Sequence, residues 1–420
     1  MFTLGFRCVN CKTILPLRSQ FFVCPKCGLQ KIKGISVIRG ITEVEYDYDA
    51  LATCVSKEQF AKRPFSLWRY RELLGFSGED TVVSIGEGGT PLVKCRRLAD
   101  VLGLKNLWLK NETQNPTHSF KDRESVLAVT RALQEHANRV SCVSSGNAAA
   151  SLAAYAARAG LECLVFTPAT ASGPKIHQCA VYGATTLLMN ATYDEIFEPY
   201  LEALGGLEIV ECSSGYNRFR TEGDKTIAYE ISEQLGWRSP SWIVDNVGNG
   251  THLYGMWKGF RELTRLGMTR DLPRMAAAGP SGGSPIVKGF KEGTAPHPLT
   301  TYRESIADAL GGRWDYDAPL ALNALRESCG HAEYVSDNEI LEAMRLLACL
   351  EGIFSEPSGA ACIAALRKML RTGVVDSRED IVCVITGSGL KEPKLSRRIS
   401  KKPIHLRVST SAIRNALANT

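Results

Sequence analysis

Long apolar runs are missing from the 420-residue chain. The Ala-rich stretch 148–159 is interrupted by Arg158 and is shorter than the ~20 residues that a membrane-spanning helix requires. Residues 1–7 also lack the basic segment and following apolar run of a secretory signal. The sequence therefore predicts no membrane association, and we expect a cytoplasmic protein.

The chain also has little net charge. The net charge of +6 lies in the C-terminal segment, because residues 391–420 contain eight basic residues and one acid, which leaves the rest of the chain at −1. Basic runs such as those in the tail, residues 395–420, are more typical of solvated surface than of a nucleic-acid site. We therefore do not expect nucleic acid as a partner, although the tail keeps that alternative open.

The familiar nucleotide-binding motifs are absent too, since neither G-x-G-x-x-G nor G-x-x-x-x-G-K-[ST] occurs. What remains is the composition of an ordinary globular protein, with 44% hydrophobic and 22% charged residues. The length suggests two or three domains.

Four of the 14 cysteines stand out by their spacing. They form two C-x2-C pairs separated by 12 residues: Cys8, Cys11, Cys24 and Cys27. Two such pairs can complete a tetrahedral four-thiolate zinc site, so residues 1–40 are predicted to form a small zinc-ribbon-like module with a structural role. A vestigial site or a redox pair is the alternative. The other cysteines are expected to be reduced, and most of them buried.

From residue 81 onward, short β-branched runs alternate with turns and amphipathic helical stretches. The predicted strands cover residues 140–144, 161–166, 185–189, 241–245 and 381–385. This alternation predicts an α/β fold with mainly parallel sheets. Ligands of such sheets bind where strands end and helices begin.

Several motifs in this part of the chain resemble those of the threonine synthase family. They are Glu87-Gly-Gly-Thr-Pro-Leu92, Asn115-Pro-Thr-His-Ser-Phe-Lys-Asp-Arg123, Ser144-Ser-Gly-Asn-Ala-Ala-Ala-Ser151, Asn217-Arg-Phe-Arg-Thr-Glu-Gly-Asp-Lys-Thr226, Val247-Gly-Asn-Gly250, Gly352-Ile-Phe-Ser-Glu-Pro-Ser-Gly-Ala360 and Thr386-Gly-Ser-Gly-Leu-Lys391. The resemblance implies a pyridoxal-phosphate enzyme of fold type II, with two doubly wound domains. Residues 41–135 and 270–420 would form the large domain, and residues 136–269 the small one.

The same resemblance assigns roles to residues. Lys121 would carry pyridoxal 5'-phosphate and then remove the Cα proton of the substrate. The cofactor would be held by Asn147, Gly248, Asn249, Gly250, Thr251 and Thr386. The amino-acid substrate would be bound by Ser144, Ser145, Gly146, Asn217, Arg220 and Lys225. The family resemblance also implies a homodimer.

Four departures from the family pattern concern the substrate pocket. His118 replaces a small residue beside Ser119, and it either takes part in the chemistry or packs away from the substrate. Ala148 replaces a threonine, residues 213–216 differ before Asn217, and residues 301–310 lack a segment that the family often has.

We therefore expect elimination or replacement at the β or γ carbon of an activated amino acid. The best single candidate is conversion of O-phospho-L-homoserine and water into L-threonine and phosphate, because Arg220 and Lys225 favour a phosphorylated leaving group. A specialised relative with another substrate or nucleophile is the main alternative. An inactive protein of the same fold that binds nucleic acid or a partner protein is a minor one.

Overall fold

A computed structural model of the chain describes residues 2–18, 21–76, 82–171 and 173–419. The strands are β1 (Thr3–Cys8), β2 (Ile14–Leu15), β3 (Leu29–Ile32), β4 (Ile35–Ile38), β5 (Thr42–Tyr46), β6 (Leu92–Cys95), β7 (Asn106–Asn111), β8 (Arg139–Val143), β9 (Glu162–Pro168), β10 (Thr185–Met189), β11 (Val210–Glu211), β12 (Trp242–Asn246), β13 (Arg274–Pro280), β14 (His331–Val335) and β15 (Asp380–Ile385).

The helices connect and cover these strands. They are α1 (Tyr48–Cys54), α2 (Lys57–Ala61), α3 (Arg97–Leu102), α4 (Lys121–Gln134), α5 (Asn147–Ala159), α6 (Gly173–Val181), α7 (Tyr193–Leu204), α8 (Arg218–Gln234), α9 (Thr251–Arg265), α10 (Pro285–Lys291), α11 (Ala318–Glu327), α12 (Asp337–Glu351), α13 (Pro357–Arg371), α14 (Pro393–Ile399) and α15 (Thr410–Asn419). Short 3-10 helices cover Leu67–Leu74, Glu112–Gln114 and Gly389–Lys391.

Two mainly parallel sheets form the body of the molecule. The larger has the order β14-β13-β12-β15-β7-β6, in which β6 alone is antiparallel to its neighbour. The smaller has the order β10-β9-β8-β11 and is parallel throughout. All five residues of β12 are buried, as expected of a parallel strand that helices cover on both faces. The predicted α/β fold with mainly parallel sheets is confirmed.

One strand departs from the predicted domain ranges. β12 lies within residues 136–269, which the sequence assigns to the small domain, but it pairs with β13 and β15 in the six-stranded sheet. The physical reason is that its apolar run needs a parallel neighbour on each side, and the edge strand of the small sheet next in line, β11, is only two residues long. The segment that builds the small sheet therefore spans only residues 139–211.

Helix α8 packs closely against both α4 and α9. Gly223 of α8 makes this possible, since a Cβ there would lie 2.0 Å from the carbonyl oxygen of Arg123 in α4. The close approach brings charged side chains of all three helices into one buried layer, which contains the first turn of α4.

The N-terminal residues dock onto the start of α8. Strands β2, β1 and β5 form an antiparallel sheet, and β3 pairs with β4 in a hairpin. The ring of Phe6 lies 5.5 Å from that of Phe219, and Tyr46 donates a 2.7 Å hydrogen bond to Glu222. These contacts attach the module to the body through both apolar and polar interactions.

The C-terminal tail lies on the surface. Residues 401–411 are exposed, and Leu417 in α15 is 74% exposed. Within the described residues, no helix is both long and apolar enough to cross a membrane.

Candidate functional site

The lysine of the N-P-T-H-S-F-K motif opens helix α4. The three residues before it run antiparallel to the turn that follows β15, because the Phe120 N–H donates to the carbonyl of Thr386 at 3.0 Å and the Ser388 N–H donates to that of His118 at 3.0 Å. Lys121 and Thr386 are thus held side by side at the carboxyl edge of the large sheet, although 265 positions separate them in sequence. The edge is where a parallel sheet binds its ligands.

The Lys121 side chain is 18% exposed and ends among polar groups. Its Nζ lies 2.5 Å from Oε1 of Glu124, one turn further along α4, and 3.1 Å from Oγ of Ser214. The same Nζ lies 4.3 Å from the centre of the Phe120 ring. The amine is therefore accessible at one end of a buried ionic cluster.

The glycine turn after β12 has the geometry of an anion cradle. Gly250 has φ +91° and caps α9, and a Cβ on Gly248 would lie 2.4 Å from the carbonyl oxygen of Ala309. Without side chains at these two positions, the first N–H groups of α9 are left open to an anion, which the positive end of the helix dipole also favours. The residues present therefore fit a phosphate group.

A charged pair supports this cradle from behind. Thr251 Oγ1 donates to Asp317 Oδ2 at 2.6 Å, and Asp317 Oδ1 pairs with Arg218 at 2.7 Å. The side chain of Asn249 donates to the carbonyl of Ser214 at 3.2 Å, which joins the cradle to the hydroxyl beside Lys121. The structure thus brings the predicted cofactor residues at 248–251 next to the lysine's surroundings.

Asn147, the first residue of α5, reaches the same edge. Its Nδ2 donates to Glu356 at 2.8 Å, and its Oδ1 accepts from Lys391 at 2.9 Å. Gly387 passes beside it, since a Cβ there would lie 3.2 Å from the Asn147 Nδ2. Burial raises the pKa of Glu356 and lowers that of Lys391.

The Ser144–Gly146 turn lies between β8 and α5, beneath a lysine that the sequence did not single out. Ser144 Oγ accepts from the Gly146 N–H at 3.2 Å, and a Cβ on Gly146 would lie 3.8 Å from Nζ of Lys175. Burial opposes the charge on Lys175, but nearby Glu356, Asp308 and Glu392 raise its pKa. Its Nζ is 2.8 Å from Glu392 and 3.0 Å from Asp308.

Two of the predicted substrate residues have structural partners instead. Asn217 accepts from the Phe219 N–H and donates to the carbonyl of Glu211, so it caps α8. Lys225 is fully buried between Glu222 at 2.6 Å and Glu262 at 3.1 Å. Its Nζ also lies 4.1 Å from the centre of the Tyr46 ring. Two carboxylates already neutralise the charge of Lys225 in the interior, and these contacts favour a structural role over the predicted contact with substrate.

Arg220 is also buried, but its guanidinium is only partly used. Its Nε lies 2.6 Å from Oε2 of Glu124, and its Nη1 donates to the carbonyl of Cys212 at 2.5 Å. Its Nη2 has no hydrogen-bond partner among the described residues. Arg220 therefore keeps one donor for an anion.

His118 has a backbone conformation that explains why a small residue suits its position. Its φ is +64°, in the left-handed region that favours glycine. The side chain is exposed, and its Nδ1 lies 3.3 Å from the carbonyl oxygen of Thr113. These contacts favour the packing alternative over a role in the chemistry.

Sequence reasoning missed a buried pair beside the lysine segment. His252 Nδ1 lies 2.9 Å from both carboxylate oxygens of Asp245, and its ring centre lies 4.1 Å from that of Phe120. Glu124, Lys175 and Glu356 were missed as well. The signal for Glu124 was its position three residues after the lysine, on the same helical face.

The four cysteines of the C-x2-C pairs converge. The Sγ atoms of Cys8, Cys11, Cys24 and Cys27 lie within 4.8 Å of one another. The separations of 3.8 Å for Cys8 to Cys27 and 3.7 Å for Cys11 to Cys24 match the ~3.8 Å edge of a tetrahedron with ~2.3 Å zinc–sulfur bonds. The donor set fits a zinc ion.

Comparison with known proteins agrees with this geometry. Residues 83–387 match the family described as "Pyridoxal-phosphate dependent enzyme". The threonine synthase of Methanocaldococcus jannaschii is 39% identical over 415 residues, and that of Methanosarcina acetivorans 38% over 413, each alignment covering 98% of both chains.

Solved structures support the fold. The processed form of threonine deaminase isoform 2 from Solanum lycopersicum superposes with a TM-score of 0.64 at 21% identity, covering 80% of this chain and 95% of that one. The resemblance first drawn from seven short motifs is confirmed over nearly the whole length. The chain belongs to the family of pyridoxal-phosphate-dependent enzymes of fold type II that includes the threonine synthases.

Proposed function

We propose that the protein is a pyridoxal-phosphate-dependent lyase that converts O-phospho-L-homoserine and water into L-threonine and phosphate. The observation that carries the proposal is the similarity to two threonine synthases over 98% of the chain. Alignment over 98% of both chains disfavours an unrelated substrate. A non-catalytic role is disfavoured because it leaves the ordered arrangement of Lys121, Asn147 and Thr386 unexplained.

The residues at the carboxyl edge of the large sheet would hold the cofactor. Lys121 would bind it covalently, the amides of residues 248–251 would bind its phosphate, Asn147 its ring hydroxyl and Thr386 its ring nitrogen. When bound, the cofactor supplies an electron sink that stabilises negative charge developing on the substrate carbons. Thr386 would offer the ring nitrogen a neutral hydroxyl in place of a carboxylate. The nitrogen would then stay largely unprotonated, which favours elimination.

The protein's own groups account for binding and proton transfer. Lys121, whose side chain is partly exposed, accepts the Cα proton of the substrate. Backbone N–H groups of the Ser144–Gly146 turn, which precedes α5, bind the substrate carboxylate. The free Nη2 of Arg220 is available to the substrate phosphate.

A substrate panel tests the reaction. The purified protein, loaded with pyridoxal phosphate, is mixed separately with O-phosphohomoserine, O-phosphoserine, O-phosphothreonine and the O-acetyl analogues. We expect phosphate and threonine in equal amounts from O-phosphohomoserine alone. Turnover of a different member of the panel, or of none, would overturn the choice of substrate.

We also propose that the four-cysteine cluster holds one structural zinc ion. The converging sulfur atoms support this. Metal analysis of the purified protein is expected to give one zinc per chain, and Cys11→Ser to reduce that content and the melting temperature together. Zinc-free protein of unchanged stability would contradict the proposal.

The homodimer and the cytoplasmic location stay predictions. Light scattering during gel filtration measures the first directly, and a mass of two chains is expected.

A further inference from the structure

Glu124 occupies a central position beside the lysine and has not been given a role. It lies one turn after Lys121 on α4, and its side chain is completely buried. Oε1 contacts the Lys121 Nζ at 2.5 Å, while Oε2 accepts from Ser214 Oγ and from Arg220 Nε, each at 2.6 Å. Lys121 Nζ and Ser214 Oγ are themselves 3.1 Å apart. One carboxylate therefore joins the predicted base to the predicted phosphate ligand.

This contact differs from an ordinary pair on a helix surface. Exposed pairs with this spacing stabilise an isolated helix only weakly. Glu124 cannot move into water, and burial alone would favour its neutral form. The cations of Lys121 and Arg220 outweigh burial and lower the pKa of Glu124 to about 2. The carboxylate is thus a fixed anion at any pH at which the protein is assayed.

We propose that Glu124 is a positioning residue that holds the free amine of Lys121 during the reaction. The inference rests on the proposed function, because it requires an amine that is released and acts as a base. When the substrate Cα–H bond breaks, its proton passes to the lone pair of Lys121 Nζ and the electron pair stays with the substrate. The ammonium that results is held by Glu124 Oε1, and it returns the same proton when a substrate carbon is protonated.

The other carboxylate oxygen couples this event to the leaving group. Oε2 fixes Nε of Arg220, so the guanidinium plane is set with Nη2 unpartnered. Ser214 links Glu124 to the glycine turn. Its hydroxyl donates to Glu124, and its backbone carbonyl accepts from Asn249. Glu124 thereby orients the base and the phosphate ligand with respect to one framework.

Glu124→Gln is the most direct test, because it keeps the size of the side chain and removes the charge. We expect kcat to fall about 10²-fold, the effect of misplacing a reacting group by about 1 Å. The acidic limb of kcat against pH should move to lower pH by about one unit, since the ammonium loses its counter-ion. Glu72→Gln is the matched control, because Glu72 is a buried carboxylate that pairs with Arg63. Among the described residues, this pair makes no hydrogen bond to Lys121 or Glu124. The control variant should lower stability without moving kcat or the limb.

A second measurement needs no substrate. Cofactor-free protein is mixed with pyridoxal phosphate, and the rate of uptake is followed by absorbance as a function of pH. Only the unprotonated amine reacts with the aldehyde. The curve of uptake rate against pH should therefore lie about one pH unit lower for Glu124→Gln than for the wild type, and near neutral pH the variant should take up the cofactor about ten times faster. This shift supports the role of Glu124 even if O-phosphohomoserine proves to be the wrong substrate.

Unchanged pH limbs in both measurements, with Lys121→Ala inactive, would overturn the proposal and leave Glu124 a purely structural residue. If Glu124→Gln does not fold, Ser214→Ala decides the question. Removal of the bridging hydroxyl should slow turnover about threefold to tenfold and leave the cofactor bound. Wild-type turnover in Ser214→Ala would then count against the proposal.

Discussion

Helix α4 contributes to two ionic clusters that differ in how completely their polar atoms are paired. The closed cluster consists of Lys110, Glu112, Arg123 and Glu230, and all four side chains are fully buried. Each nitrogen of Arg123 has a partner, and each oxygen of the two carboxylates accepts at least two hydrogen bonds. The open cluster consists of Lys121, Glu124, Ser214 and Arg220. It has one partly exposed amine and one guanidinium nitrogen without a partner.

The difference shows how to separate structural from functional charge in this protein. Buried polar groups are normally satisfied, so a complete network needs no ligand and stabilises the fold. An incomplete network next to a glycine cradle has hydrogen-bond donors that a substrate or cofactor can use. Arg123 and Lys121 are two residues apart and face opposite sides of the same helix, yet only one side is open.

Breaking the closed cluster should have the largest effect on stability. Arg123→Leu leaves Glu112 and Glu230 buried without their main counter-ion, and we expect a loss of about 3–5 kcal/mol in the free energy of unfolding. Denaturant titration measures it. Arg63→Leu, at a pair with the arginine 22% exposed, should cost less than about 1 kcal/mol. Equal losses in the two variants would remove the distinction between the closed cluster and this partly exposed pair.

Acid should destabilise both clusters. The pKa of Glu230 is lowered to about 2, because Arg123 and Lys110 outweigh the effect of burial, and that of Glu124 is also about 2. A lowered pKa gives stability that is present above the ordinary value of 4.5 and is lost as pH falls toward 2. On unfolding in acid, Glu124→Gln takes up one proton fewer than the wild type. Its free energy of unfolding should therefore fall less steeply as pH decreases, and the two slopes should differ by about 1.4 kcal/mol per pH unit at most. Parallel curves for wild type and variant would contradict the assignment.

Filling the glycine cradle should affect the ligand more than the fold. Gly248→Ala places a Cβ 2.4 Å from a carbonyl oxygen, so the turn must move and its amides lose their alignment. We expect cofactor affinity to fall at least about tenfold, or ~1.4 kcal/mol, as measured by equilibrium titration of absorbance. Gly173→Ala is the control, since a Cβ there meets no atom within 4 Å and should leave affinity unchanged.

Replacing His118 should have the smallest effect. His118→Gly relieves a left-handed conformation that costs a residue with a side chain about 1 kcal/mol, partly offset by the greater flexibility of the unfolded chain. We expect a gain in unfolding free energy of up to about 1 kcal/mol and a kcat within twofold of the wild type. A tenfold loss of kcat at unchanged stability would restore a catalytic role for the imidazole.

Local pattern was sufficient where local chemistry decides structure. Strand β10 begins and ends at the residues that the sequence predicts, because β-branched and apolar periodicity is read from neighbours alone. The glycine turn was found in the same way, whereas the lysine segment was identified by its resemblance to the threonine synthase family. The placement of β12 was not predicted, since its choice of sheet depends on partners more than thirty residues away in sequence.

The charged residues of the site were predicted least well, and for a physical reason. The sequence shows that Lys225 and Arg220 are cations but not which carboxylates neutralise them, and that pairing decides which remains available. Glu356 reaches Asn147 across 209 positions, a contact that no spacing rule reveals. Only the folded chain distinguishes a donor in reserve from one already used.

Reductive trapping tests the central claim most directly. The protein is saturated with pyridoxal phosphate, treated with borohydride to make the lysine–cofactor bond permanent, and digested for mass spectrometry. We expect the modification on the peptide that contains Lys121, and its loss in Lys121→Ala. Modification of Lys175 or Lys391, two buried lysines close to Asn147 and the 144–146 turn, or no specific modification at all, would contradict the account.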